Sequence, residues 1–193
     1  MHADERFENV LEAAQAGEEW ALTVLYRRNQ PALLGYLRTQ RPVDADDIAS
    51  ETWIAVARGL RRFKGDEEAL RRWIFTIAHR RLLDLRRDEF RRPQAVSEEA
   101  AAQAGIQESP PAEAEALASL ATRQALEQIA SLPADEAEVV VLRVVAGLSA
   151  RDVAAITGRS AGNVRVMQHR ALRRLAKKLF DKTFVTLLRS LAM

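Results

Sequence analysis

The chain has 193 residues, 48% apolar and 29% charged, with only 8 glycines and 6 prolines, enough apolar material for a packed core and a composition that favours helices. It contains no cysteine, which excludes disulfides, thiolate zinc sites and a thiol nucleophile and fits a reducing compartment. The acidic start and the lack of any apolar run near the ~20 residues of a membrane span lead to the expectation of a cytoplasmic protein without a leader.

A net charge of +2 conceals a strong alternation. Residues 1–57 carry 5 basic and 10 acidic side chains, 58–92 carry 12 and 6, 93–138 carry 1 and 9, and 139–193 carry 11 and 2. Two basic blocks separated by acidic ones suggest two surfaces for a polyanion and separate acidic surfaces for another partner.

In chain order, residues 5–40 are expected to form two helices interrupted near RRNQPALLGYL, with Pro31 in a first helical turn. In RPVDADDIASETWIAVARGLRRF, Pro42 breaks what precedes, Asp44 is placed to N-cap, and Asp46 and Asp47 favour the positive end of a helix. FKGDEE reads as a loop. The next helix, ALRRWIFTIAHRRLLDLRRDEF, carries Leu70, Ile74, Ile77, Ala78 and Leu85 on one stripe. Residues 93–112, rich in Ala, Glu, Gln, Ser and Pro, read as a flexible linker. Roughly 20 such residues average about 25 Å end to end and stretch to about 66 Å. Three further helical segments follow: LASLATRQALEQIASL, ADEAEVVVLRVVAG and SARDVAAIT. The expected fold is all-α, two small helical domains joined by a flexible linker.

The second domain ends in a helix-turn-helix pattern. Ser149 and Asp152 have capping-box spacing, Val153 and Ala154 point inward, and Gly158 stands where a tight turn needs positive φ. Ser160 can cap the second helix, whose inward stripe is Val164, Met167, Ala171 and Leu175. A helix in this position enters the DNA major groove. Opposite the stripe lie Gly162, Arg165, Val166, His169, Arg170 and Arg173, with Asn163 beside them near the helix start. Arg165 and Arg170 suit guanine N7 and O6, and Val166 suits a thymine methyl. Arg173, Arg174, Lys177 and Lys178 suit phosphates, and Arg159 is expected to reach a phosphate beside the turn. Gln168 projects nearer the core edge. The ordinary alternative for such a cluster is a solvated basic helix face.

The segments LYRRNQPALLGYLR, DADDIASETWIAVARGLRRF, RRWIFTIAHRRLLDLRR and LPADEAEVVVLRVVAGLSARDVAAITGRSAGNVRVMQHRALRRL occur in this order around the acidic linker. Together they resemble the extracytoplasmic-function (ECF) group of bacterial RNA polymerase sigma factors. The wording of the last segment looks actinobacterial, and 25 Arg against 4 Lys agrees with a GC-rich genome.

The resemblance implies residues 1–92 as region 2, which binds polymerase and opens the promoter −10 element. It implies 113–179 as region 4, whose helix-turn-helix reads the −35 element through Ser160, Asn163, Arg165, Val166, His169, Arg170, Arg173 and Arg174. Residues 180–193 form a C-terminal extension, with Phe180, Phe184, Leu187, Leu188 and Leu191 on one expected face. That face either packs on region 4 or docks a regulator.

By the same resemblance, Asp46, Asp47 and Glu51 dock on the β′ clamp helices, and the polymerase β flap is a further contact. Arg72, Thr76, His79, Arg80, Leu83 and Arg87 project away from the apolar stripe, and the positions of Arg80 and Asp84 are those that face −10 DNA. The Phe63–Glu68 loop matches the family loop that captures a flipped base, with Phe63, Lys64 and Trp73 as suppliers and core as the ordinary role of Trp73. Arg81 projects toward the buried side and is expected to pair with an acid such as Asp84 rather than contact DNA. The implied partners are polymerase core, promoter DNA and an anti-sigma factor. No cofactor, metal or small-molecule substrate is expected, and no catalysis.

Two other readings fit the sequence less well. A free-standing regulator with a helix-turn-helix leaves the first basic block and the acidic edge unexplained. An enzyme acting on nucleic acid lacks support, because His2, His79 and His169 are scattered and no HExxH or P-loop is present.

Overall fold

The computed structural model describes residues 6–91 and 124–191. The linker expected at 93–112 and the side chains of Phe184, Leu187, Leu188 and Leu191 lie outside the described residues. All regular structure among the described residues is helical: α1 (Phe7–Ala16), α2 (Glu19–Gln40), α3 (Ala45–Leu60) and α4 (Glu67–Arg91), then α5 (124–130), α6 (Ala134–Val140), α7 (Ala150–Thr157) and α8 (Ala161–Leu191). Among them, no helix is long and apolar enough to cross a membrane.

The first break in the chain falls earlier than expected. α1 ends at Gly17, whose left-handed backbone lets Glu18 N–H reach the Ala13 carbonyl at 3.0 Å. α2 then runs unbroken through Pro31. Pro31 is exposed, so water can satisfy the carbonyl that loses its donor. At the start of α3 the Asp44 side chain makes no cap. Its Oδ2 instead accepts from Arg41 Nε at 2.9 Å, because Arg41, which also holds Glu89 across the gap to α4, is the stronger partner.

α1 to α4 pack around Val10, Leu25, Leu33, Tyr36, Leu37, Ile48, Val56, Leu60, Leu70, Ile74 and Ala78. The apolar stripe of α4 is wider than its spacing suggests, since Phe75 and Leu82 are also fully enclosed. α4 has neighbours on two sides: α3 on one, α6 and α7 on the other. Enclosing each large apolar side chain contributes about 1.5–3 kcal/mol.

In the second half, α6 runs into one wide turn, Val141–Val145, closed by Ala146 N–H on the Val141 carbonyl at 2.9 Å. This places Val139, Val140, Val141 and Leu142 all inside, a continuous apolar run that a regular 3.6-residue period would partly expose. They pack on Val153 and Ile156 of α7 and Val164 and Ala171 of α8. The two halves then close on each other, with α6 and the wide turn against α2, and α7 against α4. Leu126 and Val145 of the second half pack over Gly35, 3.4 and 3.7 Å from where a Cβ would be, which is ordinary contact distance.

Phe75 sits at the meeting point, edge-on to the Tyr36 ring at 5.7 Å. Phe75→Ala is expected to cost about 3–5 kcal/mol of stability, measured as the shift in urea unfolding.

Candidate nucleic-acid interface

The helix-turn-helix forms by local chemistry. Asp152 N–H donates to Ser149 Oγ at 3.1 Å, and Ser149 N–H donates to Asp152 Oδ2 at 3.2 Å, a reciprocal cap on α7. Gly158 takes φ +68, a conformation costly for residues with a Cβ. Ser160 Oγ then accepts from Asn163 N–H at 3.1 Å and starts α8.

Val164 and Ala171 are buried beneath this helix, with Met167 and Leu175 partly so. Ser160, Asn163, Arg165, Val166, His169, Arg170, Arg173 and Arg174 are all exposed, and even Val166 is 48% accessible. At 1.5 Å per residue, Arg165 to Arg173 spans about 12 Å, which matches the width of a major groove. The two flanking cations differ from the rest. Arg174 Nε lies 3.3 Å from Glu136. Arg159 is held by Asp135 at 3.0 Å and Glu138 at 4.0 Å, with Nη1 on Met167 Sδ at 3.7 Å. Arg159 therefore joins α6 to the turn rather than standing ready for a phosphate.

Arg143 was not singled out by sequence reasoning, since one arginine in VVVLRVV carries no motif. Its Nε donates to Gln168 Oε1 at 3.0 Å and its Nη1 to the Leu148 carbonyl. It thus ties the turn before α7 to the middle of α8, and explains why Gln168 faces inward.

On the first half, Asp46, Asp47 and Glu51 are exposed along α3. Asp46 is 3.7 Å from Arg38 and Glu51 is 3.5 Å from Arg81. Exposed pairs of this kind contribute about 0–1 kcal/mol and exchange readily. Arg81 pairs with an acid, but with Glu51 of α3 rather than Asp84, which lies 3.5 Å from Arg87 one turn on.

The candidates on α4 divide into two sets. Arg80, Asp84 and Arg87 are exposed. Arg72, Thr76 and His79 lie along the edge that meets the second half. Arg72 Nη1 is 2.9 Å from Asp152 Oδ1, and the Thr76 hydroxyl is spent on the Arg72 carbonyl at 2.7 Å. His79 is buried, its Nδ1 3.1 Å from both Tyr36 Oη and Glu138 Oε1. The expectation that this whole face projects to solvent is therefore corrected for His79. Its side chain is polar, but the edge it occupies is covered by α6.

Tyr36 donates to Glu138 Oε1 at 3.0 Å. Burial, with the Glu138 carboxylate beside it, raises the Tyr36 pKa well above its ordinary value. Asp152 is the opposite case. Burial acts against its charge, but the Ser149 hydroxyl, the Arg72 guanidinium and the Ser149 backbone prevail and hold it below its ordinary 3.8.

In the loop before α4, Phe63 is half-buried and stacks on Trp73 with centroids 5.2 Å apart and planes at 20°. Lys64 is exposed.

Known proteins resemble this arrangement along most of the chain. Sigma-70 region 2 matches residues 25–92 and Sigma-70 region 4 matches residues 115–175. The ECF RNA polymerase sigma factor SigD of Mycobacterium tuberculosis is 32% identical, over 91% of this chain and 84% of that protein. The ECF RNA polymerase sigma factor ShbA of Streptomyces griseus is 34% identical, over 84% of this chain and 89% of its own. CnrH, solved in complex with the cytosolic domain of CnrY, shares the fold with a TM-score of 0.58 at 24% identity, over 92% of this chain and 99% of that one. The sigma factor RpoE, solved with the anti-sigma factor NepR from Bartonella quintana, also gives 0.58, at 23% identity over 80% and 93%. The exposed face of α8 falls within the region 4 match and the α3–α4 pair within the region 2 match, and the chain belongs to the ECF family of RNA polymerase sigma factors.

Proposed function

We propose that this sigma factor directs RNA polymerase core to its promoters with two DNA faces that the folded chain does not offer at once. Residues 113–179 read the −35 element through α8. Residues 1–92 open the −10 element through Phe63, Lys64, Arg72, Thr76, His79, Arg80, Asp84 and Arg87. The observation that carries the −35 assignment is the unbroken exposed face from Ser160 to Arg173, presented by a capped α7 and a left-handed glycine turn. Arg165 and Arg170 take guanines, and Ser160, Asn163, Arg173 and Arg174 take the backbone, with Val166 and His169 between them. Holding both modules on one enzyme lets two modest contacts act together.

Asp46, Asp47 and Glu51 serve the polymerase, docking on the β′ clamp helices, while region 4 meets the β flap. Their weak pairs with Arg38 and Arg81 are exchanged for that contact. The factor positions polymerase and catalyses nothing itself, and it acts in the cytoplasm. Control by an anti-sigma factor belongs to this reading, supported by the similar RpoE having been solved with NepR.

Closure of the two halves has a consequence for the −10 face. While Asp152 holds Arg72 and α6 covers His79, those side chains cannot meet DNA. The halves must separate before the −10 element is engaged. Asp152 stands in for a phosphate on Arg72, and the exchange costs little on the arginine side because Arg72 is half-exposed.

The experiment that tests the promoter reading mixes the protein with core polymerase and maps transcript starts on genomic DNA. Defined start sites are expected. Arg165→Ala and Arg170→Ala should each lose about 1–3 kcal/mol of −35 discrimination, and unchanged start sites in both would reject the base-reading assignment. Separation is measured by energy transfer between dyes on Glu12→Cys and Arg151→Cys, which label uniquely because the chain has no cysteine. Transfer should fall on forming the promoter complex, and constant transfer would contradict opening. A lowered Asp152 pKa means its stabilisation is complete above the unfolded carboxylate value and is lost as pH falls through the folded one, below 3.8. Asp152→Asn should lack that part of the acid-induced loss in urea-unfolding stability.

A further inference from the structure

Gln15, near the end of α1, is far in sequence from every candidate site residue, yet its side chain reaches the loop that leads into α4. Its Nε2 donates to the Leu60 carbonyl at 3.0 Å and to the Phe63 carbonyl at 2.8 Å. These carbonyls lie at a helix end and in the loop after it, and the Leu60 carbonyl also accepts from Phe63 N–H at 3.0 Å. One amide with two N–H groups satisfies both, so a single side chain ties α1 to the end of α3 and to the backbone of Phe63.

The rest of the loop is held as firmly. Asp66 Oδ1 accepts from Ala69 N–H at 2.8 Å and starts α4. The Phe63 ring lies on Trp73, and Trp73 in turn lies over Gly59, where a Cβ would fall 2.7 Å from the indole. Both ends of the loop and its aromatic wall are therefore set before any ligand arrives, while Lys64, Gly65 and Asp66 stay exposed.

We propose that Gln15 is a positioning residue for promoter opening: it holds the Phe63–Glu68 loop in the form that traps an unstacked base. This rests on the reading of that loop as the base-capturing element. Flipping a base out of the stack is costly, and ordering a loose loop around it would add to that cost. A loop already ordered in the free protein leaves its contacts with the base available to offset the unstacking. Gln15 touches no DNA in this scheme and acts only through the backbone of Leu60 and Phe63.

The test uses full-length Gln15→Ala and Gln15→Glu with core polymerase. The second keeps size and shape but cannot donate to either carbonyl. Loss of both hydrogen bonds predicts roughly a tenfold or greater slowing of open-complex formation on duplex promoter, followed by permanganate reactivity of the −10 thymines. Affinity for core polymerase and protection of the −35 element should stay within about twofold of the parent. On a template already unpaired across the −10 element, where a base leaves the stack at less cost, the defect should shrink to about twofold. An equal loss on both templates, or weaker core binding, would mean that Gln15 merely supports the fold and would overturn the proposal. No loss on either template would overturn it as well. Lys64→Ala and Phe63→Ala, run in parallel, separate the two levels. If they slow opening while the Gln15 variants do not, only the positioning role fails. If they too leave opening unchanged, the base-capture reading of the loop fails.

Discussion

The closed arrangement depends on one buried carboxylate. Glu138 is only 6% exposed, and an ionised carboxylate in such a place is costly unless every lone pair finds a donor. Its Oε1 is met by the Tyr36 hydroxyl at 3.0 Å and the His79 ring at 3.1 Å, both from the first half of the chain. Its Oε2 faces Arg159 of its own half at 4.0 Å. The geometry suits the His79 tautomer with its proton on Nδ1, since Tyr36 has one proton and gives it to the carboxylate. Satisfaction of Glu138 therefore requires α2, α4 and α6 together, and separating them leaves it to water.

From that point the positions of the other helices follow. With α6 seated on α2 and α4, the wide turn at Val141–Val145 delivers α7 to α4, and Asp152 arrives beside Arg72. The carboxylate that caps α7 is the same one that neutralises a candidate −10 contact. Capping uses one oxygen, Oδ2, and the pair with Arg72 of the first half uses the other, Oδ1. The helix-turn-helix can thus keep its cap when the halves part. α8 loses nothing on closure, because its basic face points away from the contact and remains exposed.

The same economy appears at the loop before α4. Gln15 and Asp66 satisfy the helix ends that flank it, and Phe63 is spent on Trp73 rather than on solvent. Phe63 is then less a free stacking platform than a wall, with Lys64 exposed beside it. Trp73 keeps the core role that its apolar surroundings suggest, and it does so by fixing Phe63.

The local elements were legible in the sequence because their causes are local. Ser149 with Asp152, Gly158, and the stripe from Val164 to Leu175 specify two capped helices and a turn whatever surrounds them. The exposed face of α8 follows from 3.6-residue periodicity alone. Where neighbours compete, local reasoning placed side chains wrongly: Asp44 gave up its cap to Arg41, Arg159 turned to α6, and Gly17 rather than the Pro31 segment ended the first helix. His79 is the sharpest case. Periodicity put it on the face away from the stripe, and it is on that face, but nothing within α4 says that a tyrosine 43 residues earlier and a glutamate 59 residues later enclose it. By itself, then, the sequence determined the helices, the turn and the family. Only the tertiary structure decided which polar side chains are free to meet DNA, because a buried charge selects its partners from the whole molecule.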